Sequence, residues 1–134
     1  HKPKIELTID AKLTLEGLSQ NKQVAFLTGG PIESQKAKVE ALGLSQYSEK
    51  IVYSGTLGKN YDKPHPQSWR RMQQMFTFSA EEMVYIGDNP LKDFEGPISL
   101  GWNAIRIRRP GGINFEIETL LEIPEIESLS NLLM

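Results

Sequence analysis

Cysteine is absent from the 134 residues, which excludes disulfides and thiolate metal sites and fits a reducing, cytoplasmic setting. No apolar run approaches the length of a membrane span, and no basic-then-apolar leader opens the chain. Charge of one sign is not in excess either. Fifteen Lys and Arg stand against 17 Asp and Glu, a net charge of −2, so neither a nucleic-acid surface nor a membrane surface is indicated. Histidine is scarce, and His1 and His65 have no ligand spacing between them. The chain begins at His1 rather than at a methionine, which reads as a cut N-terminus. What is present is enough for one domain with a sizeable core.

Short apolar runs alternate with helical patterns. "DAKLTLEGLSQNK" (10–22) reads as a helix capped by Asp10, with Leu13, Leu15 and Leu18 inward. "VAFLT" (24–28) ends at Gly29, Gly30 and Pro31, the pattern of a buried parallel strand. "ESQKAKVEALGL" (33–44) returns as a helix with Val39, Leu42 and Leu44 inward and Gly43 as its C-cap. The strand "IVYSG" (51–55) leads into a glycine-bearing loop, and a helix opens near Pro66 with Trp69, Met72 and Phe76 at helical spacing. "MVYIGD" (83–88) and "NAIRIRR" (103–109) are two further strands around a segment interrupted by Pro97, and "IPEIESLSNLLM" (123–134) reads as an amphipathic closing helix. Trp69, Trp102, Met72 and Met75 are core candidates. Strands and helices in alternation give an α/β fold with a mostly parallel sheet.

In such sheets ligands gather at the carboxyl ends of the strands, and the distinctive polar residues fall there. Thr28 offers a hydroxyl, with the Gly29 and Gly30 amides open to close approach by an anion. Lys63, between Asp62 and Pro64, offers a point positive charge for a phosphoryl group. Asp88 and Asp93 could hold a hard divalent cation such as Mg²⁺, which takes one or two carboxylates plus waters and phosphate oxygens. Singly, each has an ordinary reading: a turn threonine, a solvated loop lysine, an aspartate capping a helix. Together, in this order, they compose a phosphoryl-transfer site that lacks a nucleophile.

These phrases resemble the haloacid dehalogenase (HAD) superfamily, in its phosphatase-like branch. "VAFLTGG" is similar to that family's second motif, "DKPHPQSW" to its third and "VYIGDNPLKDFEGPISLGW" to its fourth. The resemblance implies a three-layer, Rossmann-like core and Mg²⁺-dependent hydrolysis of a small phosphorylated metabolite through an aspartyl-phosphate. It implies that Thr28, Gly29 and Lys63 meet the phosphoryl group, that Asp88 is a metal ligand and that Asp93 supports it. The two acids after "IG" mark the phosphohydrolase form. Pro97 stands where an alanine is common, which would bend the helix and leave the acids in place.

The family's first motif, DxDx[TV], ends the central strand of its sheet and supplies the nucleophile. Its nearest imitation here is "LTIDAKLTL" (7–15), with Asp10 and Thr14 in matching places but Lys12 where the acid/base belongs. Asp10 is better read as the cap of the first helix, so residues 1–134 are a HAD-like core lacking motif one and any cap domain, with the central first strand missing. The strands ending in Thr28 and Asp88 would then face a gap. A second chain, a copy of this one, or "KIELTI" (4–9) could fill it, though the last alternates apolar with polar rather than being apolar on both faces. On its own, such a chain is expected not to turn over. The other function class is a non-catalytic phosphate- or metal-binding module. A receiver or nucleotide-binding domain fits less well, because no GxGxxG or Walker loop follows any strand.

Overall fold

Each strand forms where a short run rich in β-branched and aromatic residues is cut off by glycine or a turn. A computed structural model describes residues 7–56, 63, 65–119 and 121–133. In chain order the elements are α1 (Ile9–Asn21), β1 (Phe26–Thr28), α2 (Ile32–Leu42), β2 (Ile51–Tyr53), α3 (Gln67–Gln74), β3 (Val84–Gly87), α4 (Glu95–Ser99), β4 (Asn103–Ile107) and β5 (Glu125–Ile126), with short 3₁₀ turns between them. No described helix is long and apolar enough to cross a membrane.

The fold is α/β and every ladder is parallel. Among the described residues the sheet is broken into two pieces, β1–β2 and β3–β4–β5, with no hydrogen bonds joining β1 to β3. Both pieces nevertheless share one core. Val52 of β2 packs with Trp69, Met72, Met83 and Trp102, and Leu27 of β1 and Tyr85 of β3 lie against that cluster. The tryptophans and Met72 are therefore core, as expected, with Met75 packed beside them. Of the candidate filler "KIELTI", residues 4–6 lie outside the described residues, Leu7 and Thr8 are coil, and Ile9 opens α1. Gly43 caps α2 at φ 65°, the left-handed conformation that glycine adopts without penalty. Pro97 is the third residue of α4, where a missing amide breaks no helical bond, so it leaves this short helix intact.

Three local expectations are corrected. Thr8, not Asp10, is the N-cap of α1: its Oγ1 accepts from the Ala11 amide at 3.3 Å, and Asp10 lies inside the first turn. Leu13 is exposed rather than inward, because the buried face is set by Ala11 and Thr14, and position 13 falls outside that 3.6-residue stripe. The tail is not one helix. Pro124 cannot extend a helix from Ile123, and β4 offers an open edge, so Glu125 and Ile126 pair with Arg106 and Ile107. Only Leu129–Leu133 then coils, as a 3₁₀ helix.

Asp10 ties the two ends of the described chain together. Its carboxylate accepts from Ser128 Oγ at 3.1 Å and the Leu129 amide at 3.0 Å, and it pairs with Arg109 Nη2 at 2.8 Å. The Thr8 hydroxyl first, then Arg109, Leu129 and Ser128, hold its pKa well below the ordinary value of 3.8. A depressed carboxylate pKa adds stability that is present above the unfolded value and lost as pH falls through the folded one. Asp10→Asn is expected to lower stability by about 1 kcal/mol at neutral pH. It should also flatten the acid limb of the stability–pH curve below pH 3.8, as read by urea unfolding across pH.

Candidate active site

Strand β3 ends at Gly87 because the chain must turn tightly around a buried acid. A Cβ on Gly87 would lie 2.6 Å from Asp93 Oδ2, so only glycine lets Asp93 come this close. Asp93 is 3% exposed. Its Oδ2 accepts from the Asp88 amide at 3.1 Å and the Asn89 amide at 2.9 Å, while Oδ1 meets Lys63 Nζ at 2.9 Å. A carboxylate so enclosed is tolerated because both oxygens have donors and one donor is charged. Asp93 therefore shapes the 87–93 turn and anchors the lysine, and the Asp88 side chain is left exposed at the strand end.

Lys63 is fixed by a second group that inspection of the sequence did not single out. The Tyr85 ring sits with its centroid 5.5 Å from Nζ, and its phenol acts with Asp93 to hold the lysine protonated. Burial by itself lowers the Lys63 pKa, but Tyr85 and Asp93 outweigh it and the net direction is upward. Burial likewise pushes the Tyr85 phenol up, with the Lys63 charge opposing. In the sequence Tyr85 was one aromatic letter in a strand, and nothing distinguishes a core ring from one that touches a cation. Tyr85→Phe keeps the ring and removes the hydroxyl. We expect a loss of about 1 kcal/mol in urea unfolding and a lower Lys63 titration midpoint by NMR.

Thr28 stands on the other ladder, opposite Tyr53 at the end of β1. Its Oγ1 is buried and, among the described residues, has no hydrogen-bond partner, an exception that calls for a ligand or a reason. Gly30 turns the chain at φ 102°, and a Cβ on Gly29 would reach only Ser54 Oγ, at 3.5 Å. The structure thus joins Lys63, Asp93 and the Asp88 turn into one unit and leaves the Thr28 hydroxyl unsatisfied on the facing piece. Asp62 and Pro64, which flank Lys63, lie outside the described residues. Thr14 is buried inside α1 and Lys12 is exposed on it, so the stretch 7–15 forms a helix start and not a strand-end catalytic motif.

The sequence profile of the haloacid dehalogenase-like hydrolases matches residues 3–101. The chain belongs to that family. Phosphoserine phosphatase from Thermus thermophilus is 33% identical over 86 residues, covering 64% of this chain and 34% of that protein. N-acylneuraminate-9-phosphatase from Rattus norvegicus is 25% identical over 126 residues, covering 87% of this chain and 50% of that one. The chain therefore spans a third to a half of the length of these relatives. Among solved structures, the 2-haloacid dehalogenase of Pseudomonas syringae pv. Tomato DC3000 superposes with a TM-score of 0.76 at 27% identity, over 94% of this chain and 51% of that one. The magnesium-bound YfnB structure from Bacillus subtilis shares the fold, with a TM-score of 0.78 at 24% identity over 94% and 54% of the two chains. The HAD-like fold expected from the motifs is thus the fold observed, and phosphatases are among the relatives.

Proposed function

We propose that this chain is the core of a Mg²⁺-dependent phosphomonoester hydrolase and supplies its phosphate-binding and metal-binding side. The observation that carries the reading is the pair of half-buried Lys63 and buried Asp93, locked at 2.9 Å beside the Asp88 turn. A lysine held this way is a fixed positive charge with donors to spare for a phosphoryl oxygen. The orphaned Thr28 hydroxyl and the Gly29 amide meet the same group from the other side. Asp93 touches no substrate and acts by holding Lys63 and the turn in place.

Asp88, exposed at the end of β3, would be one member of a donor set shared with the attacking carboxylate. That fits Mg²⁺, which binds through one or two carboxylates and completes its shell with water and phosphate oxygens. The ion, when bound, neutralises charge developing on the phosphoryl group. The attacking carboxylate is proposed to arrive on a strand seated between β1 and β3, from chain preceding this segment, a second chain or another copy. Its oxygen displaces the ester oxygen at phosphorus, and water then hydrolyses the resulting acyl phosphate. Asp10 is not that group, because it is committed to Arg109, Ser128 and Leu129.

The test is binding of inorganic phosphate with Mg²⁺ by calorimetry, alongside turnover of a generic phosphomonoester. Lys63→Met and Thr28→Val are each expected to weaken phosphate by about tenfold, and the 134-residue chain to release no phosphate from the ester. Unchanged phosphate affinity in both variants would remove the site. Turnover abolished by Asp10→Asn would reassign Asp10 as the nucleophile.

A further inference from the structure

A cavity of about 320 Å³ opens beside the candidate site, with Gly87 and Asp88 on one wall. The lining is otherwise arginine-rich: Arg106, beside Gly87 in the β3–β4 ladder, contributes to it with Arg108, Arg109 and Ile113. The arginines are gripped from outside the cavity. Asp10 holds Arg109 at 2.8 Å, and Glu125 is shared between Arg108 at 3.4 Å and Arg106 at 3.8 Å. Neither carboxylate is among the lining residues, where Asp88 is the sole acid. Three guanidinium charges are thus met by Asp10 and Glu125 from behind and by Asp88 from the lining; with Asp88 given to the metal, as the phosphatase reading has it, the arginines are left one positive charge in excess. The wall is preformed. Arg106, fully buried, donates to the Asn114 and Ile117 carbonyls, both at 2.7 Å, and Arg108 Nε donates to the Phe115 carbonyl at 2.8 Å. These bonds tie Arg106 and Arg108 to the 109–119 segment that follows them, so the arginines are held in place without reordering.

We infer that this cavity receives the leaving group of the phosphomonoester and selects one that carries a carboxylate, held by Arg108 and Arg109. The inference rests on the phosphatase reading, since it takes Asp88 as the point where leaving group and phosphoryl group meet. The volume is at the lower end for ligand pockets and suits a leaving group of a few carbons. The specificity would then be written partly into the loop after β4. Arg109 does double duty, because it lines the cavity while Asp10 holds it through Nη2 alone, and a guanidinium has five N–H donors.

A matched pair of probes tests this: 3-phosphoglycerate and glycerol 3-phosphate, which differ only in a carboxylate against a hydroxymethyl group. Calorimetric titration with Mg²⁺ at physiological ionic strength should show 3-phosphoglycerate binding about tenfold tighter, the worth of one charge-assisted hydrogen bond. Arg108→Met and Arg109→Met should each shrink that ratio while leaving glycerol 3-phosphate and inorganic phosphate unchanged. Should Arg109→Met unfold the chain, the wild-type ratio and Arg108→Met still decide. Equal binding of the two probes, with inorganic phosphate still bound, would overturn this inference alone. A preference that survives both arginine variants would place the carboxylate elsewhere and overturn it too. Failure of all three ligands to bind would overturn the phosphate site and this inference with it.

Discussion

Asp93→Asn is expected to remove about 3 kcal/mol of stability, although it exchanges a single oxygen for an amide nitrogen. Asp93 accepts from three donors, two backbone amides and the Lys63 ammonium. An asparagine has one acceptor oxygen, so its NH₂ must face at least one of those donors. If it faces Lys63, a side chain only 21% exposed keeps its charge and loses its counter-charge. If it faces the amides of Asp88 and Asn89, the turn that presents Asp88 opens. A cycle with Lys63→Met separates these outcomes: the double variant should be more stable than additivity predicts, because removing the charge removes the reason for the loss. The pH dependence has a definite sign. Lys63 titrates above its ordinary value of 10.5 in the folded state, so its contribution is complete below that pH and fades as pH rises through the folded value. Asp93→Asn should shrink that alkaline decline along with the stability it reflects, since Asp93 is one of the two groups that raise Lys63. Urea unfolding from neutral to strongly alkaline pH reads both, and a variant within about 0.5 kcal/mol of wild type would show that the pair is not formed in solution.

The parts legible in the sequence were those in which one residue type is demanded by local chemistry. Apolar runs stopped by glycine located β1, β2 and β3, Gly43 marked the left-handed end of α2, and "GD" followed by a second acid marked the turn. What was not legible depended on partners distant in the chain. Asp10 reads as a cap because an acid at a helix start is ordinary. Its actual partners are 118 and 119 residues away at Ser128 and Leu129, and Thr8 takes the cap. Arg106 drew no role from the sequence, where it is one basic residue in the strand "NAIRIRR", yet it is fully buried and donates to the carbonyls of the 109–119 segment. The tail has helical spacing, but two of its residues gain more by completing β4's edge than by coiling. The gap between β1 and β3 was expected from the family resemblance, which places a central strand there, and among the described residues no ladder joins the two.

Gly96→Ala is the second large effect expected, and it travels into the site from outside. The added methyl would lie 2.4 Å from both Cε3 and Cζ3 of Trp69, far inside contact distance, so the ring or helix α4 must move. The ring has nowhere to go. Trp69 is fully buried in the cluster of Val52, Met72, Met83 and Trp102 and meets Tyr85 edge-on, with centroids 5.3 Å apart and planes at 90°. Overpacking of this kind costs about 1–3 kcal/mol, and the upper end is expected because both partners are enclosed. Tyr85 is also the second support of Lys63, so displacing the indole should disturb phosphate binding as well as stability. Trp69→Phe supplies the control, since its smaller ring leaves room for the methyl. On that background Gly96→Ala should cost much less in urea unfolding and should no longer change phosphate affinity beyond the effect of Trp69→Phe itself. A Gly96→Ala chain as stable as wild type, or a destabilisation that Trp69→Phe fails to relieve, would separate Gly96 from Trp69. It would also leave the aromatic route from α3 to Lys63 without a mechanism.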